Sequence, residues 1–321
     1  MYREHRIGVV VPAYNEEKLI RETLTGIPEY VDKIYAVDDA SKDATAKVIQ
    51  AVQETDKRIV FIQHEKNKGV GGAIVSGYKK ALEEEMDIAA VMAGDNQMDP
   101  VLLPQFLDPI VDGRADYTKG NRLLSHEYRR GMTKWRFIGN SLLTFLTKVG
   151  SGYWQLMDPQ NGYTAISKTA LERLSLDSVY PWYGYCNDLL VRLNVQGFRV
   201  KDVVMPAKYG REKSGIKYSK YIVKVSWLLL KDFFWRLQMK YVILSFHPLV
   251  LFYFFGIILA PLGFLGILYS LYYKFVEGGP LFIRATLSLL AFMLGVQFLL
   301  FAMLFDMQVD TSERRNSRWE E

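Results

Sequence analysis

Four polar segments, each following a short apolar run, hold the side chains best suited to chemistry. After Ile7–Val11 comes Pro12-Ala13-Tyr14-Asn15-Glu16, and after Ile34–Asp38 comes Asp39-Ala40-Ser41-Lys42-Asp43. Val60–Gln63 leads to Asn67-Lys68-Gly69-Val70-Gly71-Gly72-Ala73, and Ile88–Met92 leads to Ala93-Gly94-Asp95-Asn96-Gln97. Asp95 and Gln97 stand two apart on an extended segment, so they point the same way. They are hard oxygen ligands, suited to Mg²⁺ or Mn²⁺ shared with a diphosphate. Such an ion neutralises charge on a departing nucleoside diphosphate. Asp38 and Asp39 offer acceptors for a base imide N–H or for ribose hydroxyls. Tyr14 offers a ring to flank the base, and Glu16 an acceptor for ribose. Gly69–Gly72 allows a ligand close to the backbone, but it lacks the lysine-serine ending of a P-loop. Ser41 and Asp43 are also ordinary helix-capping residues, and Asp95 alone could be a hydrogen-bonded loop aspartate. Four such ends converging on one place favour a site.

The elements that must position these residues follow from periodicity. The four apolar runs are short and rich in β-branched residues. Between them Glu16–Ile27, Asp43–Thr55 and Val70–Glu85 alternate polar and apolar residues at helical spacing. Strand-helix alternation of this kind predicts an α/β domain with a mostly parallel sheet and helices on both faces. Right-handed crossovers then bring the strand C-terminal ends to one edge, where ligands bind.

The rest of the 321-residue chain reads differently. Leu249–Tyr273 and Ala285–Phe305 carry no formal charge and are each long enough to cross a bilayer. The short connection Lys274–Arg284 holds Gly278, Gly279 and Pro280, so the two spans form a hairpin. Gly256, Pro261, Gly263 and Gly266 are tolerable there and permit close helix contact. Such a hairpin can also pair laterally with a second copy. The N-terminus is no signal peptide, since its apolar run is only Ile7–Val11. The single cysteine, Cys186, excludes an internal disulfide and a thiolate-rich metal site. The net charge of +5 is concentrated between Arg199 and Lys240, which carries +8. Its position before the first span points to a membrane surface and away from nucleic acid. Lys231, Arg236 and Lys240 precede the first span and Arg314, Arg315 and Arg318 follow the second, against Lys274 and Arg284 in the turn. Both chain ends are therefore expected on the cytoplasmic side of a cell membrane. Tyr218–Phe246 mixes Trp227, Phe233, Phe234 and Trp235 with lysines, as helices lying in the interface do.

The segments VVVPAYNEE, VDDASKD, NKGVGGAI and GDNQMDP, followed by GNR, DPQNGYTAIS and YGREKSGIKY, resemble in order the blocks of family 2 glycosyltransferases. Within that family they are most similar to dolichol-phosphate-mannose synthase-like enzymes. The resemblance runs over about residues 5–220 and implies a GT-A fold with a nucleotide-sugar donor, GDP- or UDP-linked, and a polyprenyl-phosphate acceptor. It implies nucleotide binding by Pro12, Ala13, Tyr14, Glu16, Val37, Asp38, Asp39, Ser41, Gly71 and Gly94, and metal binding by Asp95 and Gln97. It further implies phosphate contacts by Arg122, Arg136 and Lys213. Asp188 stands where relatives often carry a catalytic acid. One position departs: many relatives have Asp-x-Asp in the metal motif, and here the first place is Ala93. Weaker metal affinity is the expected consequence.

The expected organisation is a catalytic domain over residues 1–217, juxtamembrane amphipathic helices over 218–246, two membrane helices over 247–307 and a cytoplasmic tail over 308–321. The expected reaction is metal-dependent, inverting transfer to dolichyl or undecaprenyl phosphate at the cytoplasmic membrane face. A phosphate acceptor is already anionic and needs no strong base, so Asp188 would position the sugar or anchor its helix. A hydroxyl acceptor on a lipid or glycan would need Asp188 as the base. A non-catalytic nucleotide-sugar-binding scaffold is the third reading, suggested only by Ala93.

Overall fold

The computed structural model describes residues 1–123, 134–206 and 218–316, with side chains described except at 134–137, 218–220 and 313–316. The first half alternates as its periodicity predicts: β1 (Ile7–Ala13), α1 (Ile20–Thr25), β2 (Lys33–Asp38), α2 (Thr45–Thr55), β3 (Ile59–Gln63), α3 (Gly69–Glu83) and β4 (Ile88–Val91). There follow α4 (Leu103–Val111), β5 (Tyr117–Asn121), α5 (Lys134–Ser151), β6 (Thr164–Ser167), α6 (Lys168–Arg173), α7 (Tyr185–Val195) and β7 (Val200–Val204). The chain ends in α8 (Tyr218–Gln238), a π-helical stretch Met239–Leu244, α9 (Leu249–Val276) and α10 (Phe282–Asn316).

The seven strands form one sheet in the order β3-β2-β1-β4-β6-β5-β7. All pairings are parallel except the two that β6 makes, with β4 and with β5. All of β1 is buried, because helices cover both faces, and a strand covered twice needs no polar face. Val10 faces one core with Ile74 and Tyr78 of α3, while Val9 and Val11 face the other with Ile20 and Ile49. α3 lies so close to the sheet that a Cβ on Gly77 would overlap the Val10 side chain.

This topology fixes one functional edge. β1 to β4 end there, β5 and β7 end there too, and β6 begins there. Four non-glycine residues with positive φ flank it: Asn15 (58°) after β1, Ala40 (59°) after β2, Asn96 (55°) after β4 and Asp158 (50°) before β6. Asn and Asp tolerate left-handed backbone, so of these four only Ala40 is held there against its own preference by its surroundings. The first helix begins later than its pattern predicts. Glu16 N–H donates to Thr45 Oγ1 (2.7 Å), Glu17 N–H to Asp43, and Ala44 N–H returns to Glu17. The Glu16–Leu19 turn is thereby tied to the loop after β2 instead of starting the helix.

Two compact units divide the chain at Phe233/Phe234, inside α8. In the second unit α9 and α10 pack as an antiparallel pair. A Cβ on Gly263 would overlap the Phe292 backbone, and one on Gly295 the Ala260 backbone. Gly256 meets Leu299 and Gly266 meets Ser288. Small residues thus let the two backbones touch. Leu249–Val276 and Phe282–Ser312 are each long and apolar enough to cross a membrane, and only 17% and 11% of their most apolar windows is buried.

Candidate active site

The loops after β1, β2 and β4 are joined at the functional edge by short hydrogen bonds. Asn15 N–H donates to Ser41 Oγ (2.9 Å) and Lys42 N–H to Asn15 Oδ1 (2.8 Å). Gly94 N–H donates to the Pro12 carbonyl (3.1 Å), and Thr23 Oγ1 donates to the Gly94 carbonyl (3.1 Å). Pro12, Ala13, Gly94 and the Asp95–Gln97 turn are therefore neighbours. Tyr14, in the loop that directly follows β1, is 42% exposed. A cavity of ≈ 430 Å³ opens next to this cluster, lined by Ala40, Ser41, Gln63, His64 and Glu65.

The two aspartates that end β2 have different surroundings. Asp38 is fully buried; its Oδ1 accepts from Ser41 N–H (3.2 Å) and its Oδ2 from Gln63 Nε2 (3.3 Å). It holds two of the cavity's lining residues, Ser41 and Gln63, in place from behind, with Val37 packed in the core beside it. Asp39 turns inward. Its Oδ1 takes the His64 Nδ1 (2.7 Å) and Lys68 N–H (2.8 Å), and its Oδ2 takes Gly69 N–H (2.8 Å). His64 Nε2 in turn lies 2.9 Å from Ser76 Oγ. Asp39 holds the start of α3, and the acceptors expected to face a base or ribose face the protein.

The glycine-rich turn is likewise filled from within. A Cβ on Gly71 would overlap the Tyr180 carbonyl oxygen, and Gly72 N–H donates to the Pro181 carbonyl (3.1 Å). The close backbone approach expected of a ligand at Gly71 is made by residues 180–182 of the chain itself.

Asp95 Oδ1 accepts from Gln97 N–H (3.1 Å) and Asn96 has φ +55°, so the segment is a tight turn and not the extended stretch expected from its spacing. Asn96 within that turn donates to Glu22 of α1 (3.0 Å). Ala93 N–H points to Met98 Sδ (3.2 Å). Among the described residues no three His, Cys, Asp or Glu side chains gather as a metal cage. One carboxylate and one amide fit an ion that draws its other ligands from a diphosphate, and they do not make a site that holds an ion alone.

Arg122 directly follows β5 and forks onto Asp158, through Nε (2.7 Å) and Nη2 (2.9 Å). Asp188 sits buried in the first turn of α7, where its Oδ2 accepts Tyr180 N–H (2.8 Å) and Arg192 Nε (2.8 Å). Arg136 belongs to the first turn of α5 but its side chain is not described, and Lys213 lies outside the described residues. Burial pushes the Cys186 thiol up to about 11, so it is no nucleophile at neutral pH. Gln63, His64 and Asp158 are the site residues that motif reading misses. The only sequence signal for the first two is their place at the end of β3, next to β2. For Asp158 the signal is that it opens the DPQNGYTAIS block.

Comparison with known proteins was consistent in direction. A family profile described as "Glycosyl transferase family 2" matches residues 8–175. The chain is 33% identical over 215 residues to a UDP-N-acetylglucosamine–dolichyl-phosphate N-acetylglucosaminyltransferase of Methanococcus voltae, covering 61% of this chain and 85% of that one. It is 26% identical over 213 residues to an undecaprenyl-phosphate mannosyltransferase of Micrococcus luteus, covering 62% and 82%. Among solved structures it is similar to the glucosyl-3-phosphoglycerate synthase of Mycobacterium tuberculosis, crystallised with Mn²⁺, UDP and glucosyl-3-phosphoglycerate. That similarity has a TM-score of 0.56 at 19% identity, over 71% of this chain and 80% of that one.

Proposed function

Since the chain belongs to glycosyl transferase family 2, a family of glycosyltransferases on the GT-A fold, we propose that it transfers a sugar from a nucleotide-sugar to a polyprenyl phosphate at the cytoplasmic face of a membrane. The observation that carries this reading is the single sheet edge that gathers the Tyr14 ring, the cavity beside Asp38, the Asp95–Gln97 turn and Arg122 on a chain that continues into two apolar spans. The relatives' names support the lipid-phosphate acceptor. The 33% identical relative makes UDP-N-acetylglucosamine the first donor to test.

In this mechanism the nucleotide base lies in the cavity, beside the Tyr14 ring. Asp95 and Gln97 are the residues that would hold Mg²⁺ or Mn²⁺, and the ion would supply charge neutralisation at the leaving diphosphate. Arg122, with Arg136 and Lys213, draws the acceptor phosphate behind the anomeric carbon. That phosphate is already anionic and attacks without a strong base. Asp188 supports this reading by its commitments: a carboxylate engaged by Tyr180 N–H and Arg192 anchors α7.

The catalytic unit itself has a face suited to lipid. α5 exposes Ile138, Leu142 and Phe145, and α8 exposes Val223, Trp227 and Leu230, with Leu143, Val225 and Leu229 joining the two helices beneath. α5 has no acidic residue and α8 has only Asp232, which is buried. Lysines 224 and 231 stand exposed beside the apolar stripe, as interfacial helices require. The test is a screen of radiolabelled UDP-N-acetylglucosamine, UDP-glucose and GDP-mannose with undecaprenyl and dolichyl phosphate in vesicles. Metal-dependent, organic-extractable label is expected; transfer only to hydroxyl-bearing lipids would refute the reading.

A further inference from the structure

Arg122 is held by three hydrogen bonds to one carboxylate. Its backbone N–H (3.0 Å) and its Nε (2.7 Å) donate to Asp158 Oδ2, and its Nη2 donates to Oδ1 (2.9 Å). Asp158 is completely buried, while the Arg122 side chain keeps 22% of its surface exposed. The carboxylate therefore lies behind the guanidinium, on the protein side. Asp158 adopts φ +50° in the turn before β6, and that turn is fastened by Asn161 N–H donating to the Asp158 carbonyl (3.1 Å). The turn presses directly on β5, since a Cβ on Gly120 would overlap the Asn161 side-chain amide. Backbone, turn and carboxylate all fix the same guanidinium plane.

The chemistry of that fork is specific. A guanidinium carries five N–H donors in one plane. Asp158 takes one from Nε and one from Nη2, which fixes the direction of the guanidinium's edges. Those edges match the paired oxygens of a phosphate. A buried carboxylate behind an arginine also offsets its charge, so Arg122 is set up less as a loose attractive cation than as an oriented fork. Resting on the polyprenyl-phosphate reading above, we propose that Asp158 is a positioning residue that acts through Arg122, aiming its guanidinium edge at the acceptor phosphate as it attacks.

This assigns distinct roles to charge and to orientation, and the two separate kinetically. Asp158→Asn keeps a side chain that tolerates the left-handed backbone and removes only the charge-assisted fork. Arg122→Lys keeps the positive charge and removes the planar fork. Both variants, and the double variant, are assayed as full-length protein in vesicles with undecaprenyl and dolichyl phosphate, after melting curves establish folding. Misplacement of a reacting group by an ångström costs on the order of 100-fold in rate. Each single variant should thus lose about 10- to 100-fold in kcat, with acceptor KM unchanged or lower in Asp158→Asn and donor KM unchanged in both. The double variant should be no slower than the worse single one. If Asp158→Asn does not fold, Arg122→Lys still decides: wild-type kcat in that variant overturns the proposal, because charge alone would then suffice. Multiplying losses in the double variant, or parallel shifts of donor and acceptor KM with the melting point, would assign Asp158 a merely structural place. Absence of transfer to either lipid by the wild-type chain would instead overturn the function reading on which this rests.

Discussion

Asp39 shows how much a single carboxylate can be committed away from the site it borders. Three donors converge on it, from His64, Lys68 and Gly69. Asp39→Asn removes a buried anion that accepts from all three, and a lost charged hydrogen bond costs about 1.5–3 kcal/mol. The variant should unfold at lower denaturant with or without nucleotide, a shift readable by circular dichroism. Asp95 predicts the opposite pattern: Asp95→Asn should leave the melting curve near wild type and reduce metal-dependent transfer at least 100-fold. Ala93→Asp should lower the Mn²⁺ concentration for half-maximal activity, since a second carboxylate adds a hard ligand; an unchanged Mn²⁺ titration would place residue 93 away from the ion. The contrast between Asp38 and Asp39 marks a limit of the sequence. Two adjacent carboxylates at a strand end look alike there. Their directions depend on His64 and Gly69, residues 25 and 30 positions away from Asp39 that only the β2–β3 register brings near.

At the scale of elements, the alternation of apolar runs predicts all of the first four strands, because strands buried on both faces need continuous apolar residues. It does not predict that the glycine-rich turn is packed by residues 180–182, since that contact joins segments about 110 residues apart. Gly71→Ala forces Cβ toward the Tyr180 carbonyl, and overpacking of this kind costs about 1–3 kcal/mol. The loss should appear in the melting point of the nucleotide-free protein, whereas a variant destabilised only when nucleotide is added would restore the glycine to the ligand. The helix α8 carries a second test. Asp232 is 6% exposed, its Oδ2 has no hydrogen-bond partner, and burial pushes its carboxyl up to about 7. Asp188 adds to the rise, while Arg192 and Lys231 oppose it. The folded state thus holds a proton that the unfolded chain releases near pH 4. Its contribution is complete below that pH and is lost as pH rises toward about 7. Asp232→Asn should flatten this part of the stability profile, measured by melting between pH 5 and 8.

For the molecule as a whole, hydropathy identified the two long helices but not the charge that closes them. The second uncharged run ends just before Asp306, and that residue is buried with Arg236, one of the cations that precede the first span. The two form a fork at 2.8 and 2.9 Å, and Tyr241 Oη donates to the same carboxylate at 2.6 Å. The pairing was hidden because the two residues lie 70 positions apart, on opposite sides of the hairpin. An ion pair of this kind contributes little over an apolar replacement, but its halves are costly alone. Arg236→Leu leaves Asp306 as an uncompensated buried carboxylate and should destabilise the protein by about 3–5 kcal/mol. Adding Asp306→Leu should recover most of that loss. Thermal unfolding of the purified full-length protein in nanodiscs measures both. The hairpin itself, held by the backbone contacts of Gly263 and Gly295, should stay helical in each variant. A single variant as stable as wild type would mean that the pair does not join the end of α8 to α10, and a double variant as unstable as the single would locate the cost in lost packing around Arg236.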